Sequence, residues 1–294
     1  MQIAVFTKNR SNPAYEAARM GADRAAAWLG ARTLHFVPAT DDDPAEQSAL
    51  IDEALAIAPD AIVLSPVHAT RVDAAIRRIA AAGIPLAAFV NPVAAAPCVT
   101  YIGADDYALA FEVAQRLFAH LAGRGSVLAV SGPVASATSI PRMRAFADAA
   151  ARHPGIVVAA TCVGDYRRDV ARAAVAQVLA AGTAFAGCFA ANDVMALGAL
   201  DALHAAGRAA AVVGVNAIPE AIAAIRRGEM LATADFSAMR MAFLATECAI
   251  RHLRGEPVPA EIALPVEIVD RHNCAAWDLP FAQRPLPTLA ETVR

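Results

Sequence analysis

At 294 residues the chain is long for one domain and comfortable for two of about 120–150 residues each. Hydrophobic residues make up 57% and mean hydropathy is +0.44, yet much of this is helical alanine, and no uncharged run is long enough to span a bilayer. A net charge of −3, a pI near 6.2 and almost no lysine leave no basic surface for nucleic acid.

Eight apolar runs organise the sequence in two blocks of four, and a helical pattern follows each run. The runs of the first block begin at Ile3, Thr33, Ala61 and Pro85, and those of the second at Ser126, Ile156, Phe185 and Ala211. The two series keep an offset of 123 to 126 residues with little side-chain identity, so what repeats is architecture. Strands alternating with helices imply parallel sheets. The expectation is an α/β protein of two doubly wound, Rossmann-like lobes. Doubly wound sheets bind ligands beyond the carboxyl ends of their strands, so a cleft between the lobes is the expected site.

Asn12 is expected to cap the first helix, with Pro13 as its first residue and Gly30 at its end. Thr40-Asp41-Asp42-Asp43-Pro44 follows the second strand. Three aspartates can mean a metal or phosphoacceptor site, but the spacing fits better a helix start in which Asp43 caps, Pro44 opens and Glu46 closes a capping box. Ser65-Pro66-Val67-His68 leaves the third strand, where a lone loop histidine is more often solvated than ligating. The fourth strand runs through Phe89 and Val90 into Asn91. Val99 to Ile102 then leads through Gly103-Ala104-Asp105-Asp106 into a helix, which reads as the first crossing between lobes.

In the second block, Ser131-Gly132-Pro133 and a polar stretch (Ser136, Thr138, Ser139) precede Pro141-Arg142. Later strands end at Gly164-Asp165-Tyr166, Ala191-Asn192-Asp193 and Asn216. A short helix closes at Gly228, and a strand over 231–234 ends in Asp235-Phe236. A helix over 239–253 and a last strand at 265–269 would return the chain to the first lobe and then the second, which makes three hinge segments. The proline-bearing stretch 274–294 reads as an extended surface tail. Met1 and Gln2 lead straight into the first strand, so the expectation is either a cytoplasmic protein or one whose leader was removed and a start Met supplied.

The five cysteines show no CxxC and no His–Cys ligand spacing, so no metal is expected. A Cys98–Cys274 disulfide is conceivable, though no spacing argues for it. The glycine fingerprint of dinucleotide sites, the phosphate loop, the G-x-S-x-G elbow and the HExxH zinc motif are all missing. An enzyme is therefore not expected, nor a cofactor. The residues at the strand ends are Asn12, Tyr15, Asn91, Arg142, Tyr166, Asn192, Asn216, Asp235 and Phe236. Amides both donate and accept, which suits hydroxyl groups, and aromatic faces suit the apolar side of a sugar or polyol.

These residues carry a family resemblance. Ser11-Asn12-Pro13-Ala14-Tyr15, the run from Asp60 to Pro66, Gly83-Ile84-Pro85 and Tyr101 to Asp105 come in order, followed by Ala191-Asn192-Asp193, Met195 to Gly198 and Val212-Val213-Gly214. From about Gln2 to Asn273 the chain resembles the periplasmic sugar-binding proteins of ABC transporters, of the ribose-binding type with the type I periplasmic binding protein fold. The resemblance implies an N-terminal lobe of 1–103 plus 236–263, a C-terminal lobe of 104–235 plus 264–273, and a surface tail of 274–294. It also implies stacking roles for Tyr15 and Tyr166, hydroxyl contacts for Asn12 and Asn192, and a place at or just behind the site for Arg142. The implied setting is a monomeric periplasmic receptor that serves a permease.

The departures bear on specificity. Val90-Asn91 stands where ribose binders carry Asp-Arg, Asn216 where they carry Asp, and Phe236, beside Asp235, where they carry glutamine. Ala14 replaces a frequent aromatic. A neutral sugar, polyol or cyclitol other than ribose is the expected ligand. The effector domain of a lac-repressor-type regulator, or a sensor partner, shares the fold and is the alternative; a flavodoxin-like or dehydrogenase-type enzyme comes third.

Overall fold

The computed structural model describes residues 1–134 and 136–293. In chain order it has β1 (Gln2–Phe6), α1 (Pro13–Trp28), β2 (Arg32–Phe36), α2 (Pro44–Ala56), β3 (Ala61–Leu64), α3 (Asp73–Ala81), β4 (Leu86–Phe89) and β5 (Thr100–Ala104). Next come α4 (Asp106–His120), β6 (Arg124–Ser131), α5 (Ser139–Ala151), β7 (Gly155–Val163), α6 (Arg168–Ala180), β8 (Gly187–Ala190), α7 (Asp193–Ala205) and β9 (Ala211–Val215). The chain closes with α8 (Pro219–Arg227), β10 (Ala232–Asp235), α9 (Ala238–Leu253), β11 (Glu261–Leu264), β12 (Glu267–Asp270), two 3-10 turns and α10 (Leu289–Thr292).

The chain divides into two compact units. Unit 1 comprises Met1–Ala104, Ser237–Leu264 and the residues from Phe281 onward; unit 2 comprises Asp105–Phe236 and Pro265–Pro280. The last twenty residues thus contribute to both.

Each unit is a six-stranded sheet: β11-β5-β4-β3-β1-β2 in unit 1 and β12-β10-β9-β8-β6-β7 in unit 2. Renumbered within its own unit, each sheet has the doubly wound order 2-1-3-4-5 plus one late strand. The order reverses beside β1 in one and beside β6 in the other. All pairs are parallel except β10 with β12. Strands covered on both faces must be apolar throughout, which is why IAVF, AIVL, GCFA and AVVGV lack the alternation of a half-exposed strand.

Alanine-rich helices let the layers approach closely. In unit 1, α1 lies so near α9 that a side-chain carbon at Gly21 would run into the Met239 carbonyl oxygen. Aromatic pairs fill the remaining volume: Phe6 stacks on Phe36 at 4.9 Å in unit 1, and Phe146 on Phe189 at 4.7 Å in unit 2. Burying each such side chain contributes about 1.5–3 kcal/mol.

Two expectations are corrected. Strands β5 and β11 add to the eight runs and pair with each other, Tyr101 beside Glu261 and Ala104 beside Leu264. Asp43 caps α2 by accepting from the Ala45 and Glu46 amides, but Glu46 turns back to the Thr40 amide (2.9 Å) and closes no capping box. All five cysteines are free thiols, and burial pushes Cys162 up to about 11. Among the described residues no helix is long and apolar enough to cross a membrane.

Candidate functional site

Parallel register brings the carboxyl ends of β1, β3 and β4 to one edge of unit 1, and those of β6, β7, β8, β9 and β10 to one edge of unit 2. All nine candidate residues lie at these edges or in the helical turns that follow.

In unit 1, Asn12 caps α1, its Oδ1 accepting from the Ala14 amide at 3.0 Å, while its own amide donates to Asn9 Oδ1 at 3.2 Å. Tyr15, in the first turn of α1, is 5% exposed. The Lys8 ammonium lies 5.9 Å from the centre of its ring and 4.0 Å from Asp42 Oδ1. Asn9 Nδ2 donates to the other Asp42 oxygen at 3.3 Å, and Asp41 Oδ1 accepts from the Arg10 amide at 3.3 Å. The aspartate run therefore braces the loop after β1. Asn91 is buried and donates to the Pro66 carbonyl at 2.8 Å. Val90 before it is left-handed (φ 67), its carbonyl held by the Tyr101 hydroxyl at 2.9 Å. Ser65 Oγ is buried with no partner among the described residues. His68 Nδ1 accepts from the Thr70 and Arg71 amides, both at 3.2 Å, and so closes its own loop.

In unit 2, Arg142 is only 2% exposed. Its Nε donates to Asp106 Oδ1 at 2.7 Å, its Nη1 to the Ala191 carbonyl at 2.7 Å, and its plane lies 5.0 Å from the Phe236 ring centre. It is a brace that ties β8 and the start of α4 together under Phe236. Tyr166 follows β7 with φ 58, an uncommon value for an aromatic residue. Its ring packs against the bare Cα of Gly132, its hydroxyl bonds Thr138 Oγ1 at 2.8 Å, and burial pushes its phenol above the usual value.

Asn192 caps α7 with Oδ1 accepting from the Met195 amide at 2.9 Å, while its Nδ2 is buried without a partner among the described residues. Asn216, after β9, likewise has a buried and unpartnered Oδ1. Asp235 Oδ2 accepts from Trp277 Nε1 at 3.1 Å.

Several polar neighbours were not singled out from the sequence: Lys8, Asn9, Asp106, Asp193, Thr233 and Trp277. Lys8 offered a signal, since it is the single lysine in a chain rich in arginine. Burial pushes the Asp193 carboxyl up to about 7, against hydrogen bonds from Thr233 and the Ile218 amide that favour the charged form. Among the described residues no group of three His, Cys, Asp or Glu could hold a metal ion.

Doubly wound sheets whose strand ends carry amides, hydroxyls and charged side chains fit a small-molecule binding protein. The profile of the periplasmic binding protein domain matches residues 3–257, and the chain belongs to that family, one of non-enzymatic solute receptors. It is 27% identical over 269 residues to the ribose import binding protein of Salmonella typhimurium, covering 91% of this chain and 90% of that one. It is 29% identical over 196 residues to a xylitol-binding protein of Mycolicibacterium smegmatis; the match covers 66% of this chain and spans little more than half, 56%, of that relative. Among solved structures, an ABC transporter periplasmic solute binding protein from Actinobacillus succinogenes with bound D-allose has a TM-score of 0.88 at 25% identity. That match covers 93% of this chain and 99% of the other.

Proposed function

We propose that this protein is the solute receptor of an ABC importer and that its ligand is a neutral polyhydroxy compound: a sugar, a polyol or a cyclitol. The observation that carries the reading is the contrast between the charged and the neutral polar groups at the strand ends. Lys8 and Arg142 face carboxylates of their own unit, Asp42 and Asp106, while Arg240, in the first turn after β10, keeps a buried Nε without a hydrogen-bond partner among the described residues. Asn192 Nδ2, Asn216 Oδ1 and Ser65 Oγ are also buried and unpartnered among the described residues.

An ionic ligand needs an unbalanced charge, whereas hydroxyl groups need donors and acceptors. Each unpaired buried polar atom costs about 1–3 kcal/mol, a cost that a ligand hydroxyl offsets. The same groups reject analogues that lack the hydroxyl.

In this reading Asn12, Tyr15 and Asn91 of unit 1 and Tyr166, Asn192, Asn216, Asp235 and Phe236 of unit 2 contact one ligand, with Arg142 bracing from behind. The connections after Ala104, Phe236 and Leu264 act as hinges, and open and closed populations shift on binding. The receptor works in the periplasm as a monomer and delivers its ligand to a permease; nucleic acid is not among its partners. The import and solute-binding roles of the relatives favour this over the regulatory alternative. Asn91, Asn216 and Phe236 argue against ribose itself.

A thermal-shift screen over neutral sugars, polyols, cyclitols, sugar acids and nucleotides tests the proposal. One neutral compound at millimolar concentration should raise the melting temperature by several degrees. Shifts confined to acids or nucleotides would overturn it.

A further inference from the structure

We propose that Asp193 and Thr233 are positioning residues: together they hold the turn after β9 that presents Asn216, and through it they set the affinity of the site. The inference rests on the receptor reading above.

Asn216 and Ala217 both have left-handed φ angles, 133° and 51°. Neither is glycine, so each Cβ makes the conformation costly, and the turn persists only because its surroundings over-determine it. Three consecutive amides are tied to three different acceptors. Asn216 N donates to the Ala234 carbonyl at 2.8 Å, Ala217 N to Thr233 Oγ1 at 3.3 Å, and Ile218 N to Asp193 Oδ2 at 3.0 Å. The Thr233 hydroxyl then donates to Asp193 Oδ1 at 2.6 Å and closes the ring. A carboxylate just past β8 thus fixes a turn just past β9 through a hydroxyl on β10. Gly214 leaves the room this needs, because a side-chain carbon there would run into Asp193 Oδ1.

What the ring delivers is Asn216, whose buried Oδ1 is an acceptor without a partner among the described residues. On the neighbouring strand end Asn192, the residue just before Asp193, offers a buried and unpartnered donor in Nδ2. A hydroxyl group both donates and accepts, so a correctly aimed acceptor beside a donor is the recognition unit at stake. Its aim depends on the turn, and the turn depends on Thr233 and Asp193. An asparagine at 193 would keep the shape but would have to direct its NH2 at Thr233 or at the Ile218 amide.

The test uses the full chain and whichever of ribose, xylitol and myo-inositol gives the largest thermal shift. Thr233→Val keeps the side-chain shape and removes the hydroxyl; it is expected to raise Kd by about tenfold or more. Thr233→Ser keeps the hydroxyl and should stay within about threefold of wild type. If Thr233 acts through Asn216, then in an Asn216→Ala background Thr233→Val should add less than about twofold. Additive losses, or a wild-type Kd for Thr233→Val, would overturn the proposal.

Amide hydrogen exchange over residues 216–218 of the ligand-free protein gives a second arm. Thr233→Val should speed exchange there by about tenfold, and Thr233→Ser should restore it. If none of the three compounds binds, the receptor reading loses its support while the exchange arm still decides this one. Unchanged exchange in Thr233→Val overturns the positioning role alone.

Discussion

The two sets of strand ends share a topology and differ in how their polar groups are satisfied. In unit 1, Asn12 caps α1, Asn91 is tied to the Pro66 carbonyl, and the Tyr101 hydroxyl pins Val90. In unit 2, Asn192 and Asn216 each keep a buried polar atom unpartnered among the described residues. Asp165, Tyr166, Asn216 and Ala217 are all left-handed there, and among the described residues unit 1 has Asp42 and Val90 in the corresponding loops. Unpaired buried atoms and strained backbone each cost about 1–3 kcal/mol, and such costs concentrate at functional sites. In the proposed reading unit 1 presents the more nearly satisfied wall, with Ser65 Oγ its unpartnered group at a strand end, and unit 2 carries two unpartnered amides that a ligand hydroxyl would complete.

Removing one buried cation from each unit tests that contrast most severely. Arg142→Ala would leave the Asp106 carboxylate and the Ala191 carbonyl without their donor, a break expected to cost about 3–5 kcal/mol in urea unfolding. Lys8→Met should cost about 1 kcal/mol or less, because its partner stands 4.0 Å away with a third of its side chain exposed. Equal losses would remove the distinction between a brace and a loose pair.

The second test is pH. Burial holds the Asp193 carboxyl up at about 7, far above an unfolded aspartate. Between about pH 4 and pH 7 the folded protein keeps a proton that the unfolded chain has lost, so stability from this group is greatest at the acid end and falls as pH rises through 7. The difference is on the order of 4 kcal/mol. Asp23 in unit 1 behaves oppositely: burial alone would raise it, but hydrogen bonds from His35 and Thr33 hold it below the usual range. Its contribution is present above the unfolded value and is lost as pH falls below about 4. Comparing wild type with Asp193→Asn across pH 4.5–7.5 should isolate the falling limb; parallel profiles would count against the buried acid.

Much of the architecture was legible because it is local. The apolar runs announce parallel strands, and Asn12-Pro13 and Asn192 announce caps, since a cap contacts a residue two or three positions on. Strands β5 and β11 escaped notice because neither is a continuous apolar run: TYIGA holds Gly103, and EIAL opens on the exposed Glu261 and is bounded by Pro265. Position at a strand's carboxyl end was legible too, as the topology requires it. The partners were not. Asn91 with Pro66, Asp193 with Thr233 and Arg142 with Ala191 are 25, 40 and 49 residues apart, and nothing in either local sequence encodes such a pairing. Trp277 reaches Asp235 from a stretch read only as a surface tail.

The finest test of the contrast exchanges one cap in each unit. Serine caps a helix about as well as asparagine, so Asn192→Ser and Asn12→Ser should each change stability by less than about 1 kcal/mol. They differ in what else is lost. Asn192→Ser removes a buried NH2 that has no partner among the described residues, while Asn12 is half-buried and has no such atom. For a neutral polyhydroxy ligand, titration calorimetry should show Kd rising by about tenfold or more for Asn192→Ser and by about threefold or less for Asn12→Ser. If the two losses match, the wall of unit 1 recognises the ligand as directly as unit 2 does. The unpartnered amides then reflect local packing, and hydroxyl selectivity has to be sought on both units alike.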